Sequence, residues 1–167
     1  SIRSGESELA IAGGVNVMVH PSKYVGLSQG AFLSGDGRCR SFGQGGDGYV
    51  PGEGVGTVLL KPLGQARADG DHVYAVIKGS AVNASGHTSG YSVPNPHAQA
   101  ELITEALQQS GVDPRTISYV EAHGTGTALG DPIEITGLTK AYRRFTADKQ
   151  FCAIGSVKSN IGHLESA

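Results

Sequence analysis

"SYVEAHGTGTALGDPIEI", residues 118–135, sets a histidine between a short apolar run and a loop of small residues. The run Ile117 to Ala122 is short and partly β-branched or aromatic, which predicts a strand. It enters Gly124-Thr125-Gly126-Thr127, a loop whose backbone can approach a ligand closely. Asp131-Pro132-Ile133-Glu134 then predicts a helix start, with Asp131 accepting from the free amides, Pro132 at the first helical position and Glu134 as the acid of a capping box. This succession puts His123 at the carboxyl end of a strand, where open α/β sheets place their sites. A histidine there is either a reagent or a polar turn residue bonded to backbone.

Outward from that loop, the pattern continues in both directions. Downstream, Phe151 to Val157 reads as a strand that runs straight into Lys158, Ser159, Asn160 and His163. Upstream, Ala98, Leu102, Ile103, Ala106 and Leu107 recur at helical spacing, opened by Asn95-Pro96 and closed by Gly111, which predicts a helix over 96–110. With a strand over Val73 to Val82 and a helix from about Pro132 to Arg143, the order is strand, helix, strand, helix, strand. A parallel sheet follows. Before it, Leu9 to Val19 and Val55 to Leu60 read as buried strands, and Gly35 to Gly54 as turn-rich. Asn83 to Asn95 reads as a polar loop, Lys61 to Gly70 as a short helix at most, and His20 to Ser34 has no clear period. Ser1 to Gly5 looks like the last turn of a helix and Gly162 to Ala167 like the first of another, so both ends are expected to be cut inside structure.

Bulk properties exclude several function classes. A net charge of -2 with scattered Lys and Arg gives no basic stripe, which argues against nucleic acid or an anionic membrane as partner. No apolar run approaches the roughly 20 residues that span a bilayer, and no signal peptide pattern opens the chain. The two cysteines, Cys39 and Cys152, form no CxxC pair and suit a reducing cytosol. Glycine is the outlier: 26 of 167 residues, against an ordinary share of about 7%. These glycines punctuate apolar strands without a period, as tight loops would require.

Neighbouring parallel strands would carry His123 and His163 to one sheet edge, facing one pocket that the loop Thr125 to Gly130 also lines. Two imidazoles there could donate to a single developing oxyanion, with the Lys158 ammonium nearby to hold them electrostatically. No metal is expected, because the cysteines lack ligand spacing and no two histidines stand three or four residues apart. "GSVKSN" lacks the glycine before lysine of a phosphate loop, and Gly52-Glu53-Gly54-Val55-Gly56 precedes a strand rather than a helix. Cys39, between two arginines, has nothing of a strand-to-helix nucleophile elbow around it.

"VEAHGTGTALGDPIE" together with "IGSVKSNIGHLESA" resembles the two histidine motifs of β-ketoacyl synthases, specifically the ketosynthase domains of modular type I polyketide synthases, and "GDGRCRSFGQGGDGYVPGEGVGTVLLKPL" resembles the segment that precedes them. "NVMVHPSKY" and "GYSVPNPHAQAELI" are most similar to the bacterial subgroup whose modules receive extender units from a separate acyltransferase. The resemblance implies an α/β, thiolase-like fold, here partial: residues 1–70 as the end of the N-terminal half and 71–167 as most of the C-terminal half. It implies decarboxylative condensation, in which His123 and His163 form and stabilise an enolate, Lys158 supports them, and Thr125 and Thr127 contact a pantetheine arm. Gly126 and Asn160 join the substrate-binding set. The implied partners are an acyl carrier protein, which brings the phosphopantetheine, its acyl and malonyl-type thioesters, and a second subunit of a homodimer; no cofactor is bound directly. The family's nucleophile sits in a "TACSSS"-like motif, which no stretch of this chain matches, so the chain alone is expected to be inactive. The rival reading is a non-elongating or chain-length-factor-like homologue that binds carrier protein without condensing, although the family's non-elongating domains typically replace the histidine that stands here as His123.

Overall fold

The computed structural model describes residues 1–88, 90 and 93–167. The polar loop over Asn83–Asn95, with the "GYS" of its motif, therefore falls partly outside the described residues. The described residues form two small sheets. Strand β1 (Ala10–Asn16) pairs antiparallel with β2 (Gly54–Leu60), from Ala10 opposite Leu60 to Asn16 opposite Gly54. Both were expected to be buried, yet Ile11 is 77% and Val55 75% exposed; an apolar strand is buried only by a layer packed on its face, and among the described residues no helix packs extensively on this sheet. Between the strands lie α1 (Ser22–Gln29) and the turn-rich stretch; α2 (Leu63–Ala68) follows β2. No side chain of α1 is buried, so the segment carries no apolar stripe and periodicity does not reveal it.

The second sheet is the parallel pair expected from the motif. β3 (Tyr119–Glu121) runs beside β4 (Ala153–Gly155), with Tyr119 opposite Ala153 and Glu121 opposite Gly155. Amides just outside the ladder extend it, Ala122 N donating to Gly155 O and Ala153 N to Ser118 O, both at 2.8 Å. α3 (Pro96–Ser110) and α4 (Gly130–Tyr142) pack on each other. The contact is made by small residues: Ala98, Ala100 and Ala141 are buried, and a Cβ on Gly137 would stand 2.8 Å from Gln99 Oε1. α5 (Lys158–Ile161) is a single turn after β4; the helix expected from Gly162 onward is thus replaced by one that ends there.

The expected strand over Val73–Val82 forms no ladder. A strand is held by its neighbour's amides and carbonyls, and among the described residues none pairs with this segment; Tyr74 and Val82 are more than nine-tenths exposed. The segment does touch α3, since a Cβ on Gly79 would lie 2.8 Å from Ala106 O.

The glycine-rich stretch between α1 and β2 joins the two sheets. Gly48 N donates to Gly126 O at 3.2 Å, His163 N to Val50 O at 2.7 Å and Gly52 N to His163 O at 2.9 Å. One irregular segment thus braces both histidine loops.

The α3 boundary tests the local reading. Asn95 Oδ1 accepts from His97 N at 3.0 Å and Ala98 N at 3.3 Å, and Gly111 closes the helix at φ 62°. In a complete domain carrying this sequence, Asn95→Ala is expected to cost about 1 kcal/mol in chemical denaturation and Asn95→Gly only a few tenths; an Asn95→Ala domain as stable as its parent would show that the cap contributes nothing.

Candidate active site

His123 leaves β3 in a loop that its own helix holds. Asp131 and Glu134 do not cap α4, which begins at Gly130. Instead Glu134 accepts from His123 N at 2.6 Å and Gly124 N at 2.8 Å, while Asp131 accepts from Gly126 N at 3.1 Å and Phe42 N at 2.6 Å. Side chains in a first helical turn lean toward the helix amino terminus, and the loop there presents buried amides with no ladder to join. Leaving them unpaired would cost about 1–3 kcal/mol each, so the two carboxylates are drawn to them. Gly126 needs to be glycine: its φ is 72°, and a Cβ would stand 2.8 Å from Arg40 N.

The second histidine is fixed as firmly. Its amide and carbonyl are held by Val50 and Gly52, and Glu165 N donates to its Nδ1 at 3.0 Å. An Nδ1 that accepts leaves the proton of the neutral ring on Nε2. The two imidazoles stand edge to face, 5.4 Å apart between ring centres at 87°, and Tyr49 lies edge-on to His163 at 4.9 Å.

Burial and charge together favour the neutral form of both rings. Burial lowers the pKa of His123 from its ordinary 6.5, and the Lys158 ammonium lowers it further, against the opposing pull of Glu134 and Asp131. Burial also lowers His163, helped by His123 and Lys158 and opposed by Glu165. Glu121, which accepts from Val157 N at 2.7 Å, is held below the ordinary carboxylate range by that bond, by Tyr119 and by Lys158. The lysine therefore sits where its field reaches both imidazoles and the end of β3.

The remaining residues singled out in the sequence are placed less uniformly. Thr127 Oγ1 accepts from Gly130 N at 3.0 Å, tying it to the start of α4, and Thr125 is half-buried with its carbonyl against Cys39. Lys158 and Asn160 line a cleft of about 560 Å³ with Arg38, Cys39 and Arg40. Neither imidazole nor the loop Thr125–Gly130 contributes to that cleft; Asp131 holds the loop's Gly126 amide away from it, and Leu129 is 54% exposed. Cys39 is buried, Sγ 3.5 Å from Thr125 O, so it supports the loop from behind. Cys152 lines a separate apolar hollow of about 180 Å³ beside Tyr142 and Phe151. Among the described residues no three His, Cys, Asp or Glu side chains gather as a metal site would require, and no helix is long and apolar enough to cross a membrane. Periodicity misses Lys23 on α1 and Tyr49 in the turn-rich stretch, which meet at Glu165.

Two family profiles match the chain: "Beta-ketoacyl synthase, N-terminal domain" over residues 1–66 and "Beta-ketoacyl synthase, C-terminal domain" over residues 74–167. Polyketide synthase PksL of Bacillus subtilis is 68% identical over 167 residues, all of this chain but 4% of that protein. Polyketide synthase ThaG of Burkholderia thailandensis is 60% identical over 168 residues, again all of this chain and 3% of its relative. Among solved structures, the oxazolomycin ketosynthase domain OzmH KS7 of Streptomyces albus superposes with a TM-score of 0.94 at 59% identity, covering 97% of this chain and 28% of that one. The ketosynthase from module 6 of the bacillaene synthase of Bacillus subtilis gives 0.94 at 45% identity, covering 98% and 29%. The chain thus spans a few per cent of its curated relatives and under a third of the solved domains. With the two histidine loops in place on a partial thiolase-like fold, the chain belongs to the β-ketoacyl synthase family.

Proposed function

We propose that this chain is the enolate-forming part of a polyketide synthase ketosynthase that performs decarboxylative Claisen condensation in the cytosol. Residues 1–70 would end the N-terminal half of that domain and 71–167 would form most of the C-terminal half. The observation that carries the reading is the pair of imidazoles 5.4 Å apart, His123 at the end of β3 and His163 just past α5, whose neutral forms burial and Lys158 favour.

The chemistry needs such a pair. A malonyl-type thioester, delivered by an acyl carrier protein on its phosphopantetheine, loses its carboxylate as carbon dioxide. The electron pair of the broken C–C bond moves into the thioester, whose oxygen becomes an enolate oxyanion. Neutral N–H groups aimed at that oxygen stabilise the charge as it develops. The enolate carbon then attacks the carbonyl of an acyl group held on an enzyme cysteine; the new C–C bond forms as the thiolate leaves and takes up a proton. Thr125 and Thr127, with Gly126 and Asn160, would contact the incoming arm. The nucleophile is assigned to no residue of this chain, since Cys39 is buried behind the histidine loop and Cys152 lies in a different hollow. Carrier protein and a second subunit are the partners this reading requires; nothing here calls for a directly bound cofactor.

In a complete domain, His123→Ala or His163→Ala is expected to slow elongation by about 10²- to 10³-fold, the loss typical of one oxyanion donor, while acyl loading on the cysteine persists. Intact-mass spectrometry of the loaded and extended domain separates the two steps. Equal losses of loading and elongation would contradict the assignment.

The histidines' depressed pKa values predict the pH profile. Each ring donates when neutral, so elongation should hold from neutral pH downward until the rings protonate below 6.5, and then fall. Because Lys158 pushes both values down, Lys158→Gln should raise them and move the acid limb to higher pH. A limb that stays in place or moves lower would show that the lysine does not act through the imidazoles.

A further inference from the structure

His163 stands in a closed circuit of polar contacts that reaches across the fold to α1. Glu165 N donates to its Nδ1 at 3.0 Å. The Glu165 carboxylate accepts from Lys23 Nζ at 2.7 Å and from the Tyr49 hydroxyl at 3.1 Å. Lys23 Nζ also donates to Asn16 Oδ1 at 3.2 Å, and the buried Asn16 donates through Nδ2 to Gly52 O at 2.7 Å. Gly52 N returns to His163 O at 2.9 Å. Tyr49 closes a second path, its ring edge-on to the imidazole and its hydroxyl on the same carboxylate.

Energy alone does not explain this arrangement. Lys23 and Glu165 are partly exposed, and an ion pair of that kind contributes little to stability. Glu165 also adopts φ 50°, the left-handed region that a residue with a Cβ enters only at a steric cost. The contacts therefore hold an unfavourable backbone rather than add net stability, and that backbone presents the amide to Nδ1. Strain persists where surrounding contacts over-determine it.

We infer that Glu165, held by Lys23 and Tyr49, is a positioning residue for condensation: it keeps its amide on Nδ1 of His163, so that the ring is fixed in one orientation with Nε2–H as the donor. The inference rests on reading His163 as an enolate donor. It gives α1, which no apolar stripe marks, a role in the chemistry through Lys23.

The test uses a complete ketosynthase domain carrying this sequence, with Lys23→Met, Glu165→Leu, the exchange Lys23→Glu with Glu165→Lys, and His163→Ala in parallel. Misplacing a reacting group from a distance costs up to about 10²-fold. Each single variant should therefore lose between about 10- and 100-fold in elongation kcat, with KM for the malonyl carrier thioester and acyl loading unchanged. The exchange, which restores the ion pair, should recover most of the loss. Elongation within twofold of the parent in both single variants, while His163→Ala elongates poorly, would overturn the positioning role and leave the donor role standing. Parallel loss of loading and elongation, or an exchange no better than the single variants, would also overturn it. If His163→Ala itself elongates normally, the reading beneath the inference fails as well.

Discussion

The site depends on two carboxylates satisfying four backbone amides. Asp131 and Glu134, in the first turns of α4, bind the amides of His123, Gly124, Gly126 and Phe42. A loop entered from a strand and left into a helix has few ways to satisfy its own N–H groups, and Gly124 and Gly126 are buried. The carboxylates thus fix where β3 releases His123. Through Phe42 they also fasten the turn-rich stretch, which in turn grips Gly126 and both sides of His163. Remove that fastening and the two histidine loops lose their common brace.

Electrostatics then sets the state of what geometry has placed. The imidazoles are partly open to solvent, yet surrounding protein and the nearby lysine favour their neutral forms. A protonated pair at this separation would repel, and a charged ring would change the donor chemistry that the proposed condensation calls for. Glu165 works the other way on His163, raising its pKa. Lysine and glutamate thus bracket the histidine from opposite sides, one through its field and the other through both field and amide.

How much of this was legible in sequence follows from what each signal encodes. The strand before His123 and the helix from Pro96 were readable because composition and capping leave local patterns, and the parallel pairing followed from the strand–helix–strand order. The acids of "GDPIE" were recognised as partners of free amides, but local logic assigned them to their own helix; only the fold shows that the loop's amides compete and win. Val73–Val82 carried a strand's composition without a partner to make it one, since pairing is not a local property. α1 buries nothing, so its Lys23 had no pattern to announce it. His123 stands at a strand end as expected, but His163 follows the turn α5 rather than β4 itself, and its tautomer depends on one amide that residue types do not reveal.

The central claim is that both imidazoles serve one oxygen. A crystal structure of a complete ketosynthase domain carrying this sequence, bound to a malonyl-pantetheine analogue that cannot lose its carboxylate, tests it directly. The account predicts the thioester oxygen about 2.7–3.1 Å from Nε2 of both His123 and His163. An oxygen held by neither ring, or by one while the other faces away, would contradict it.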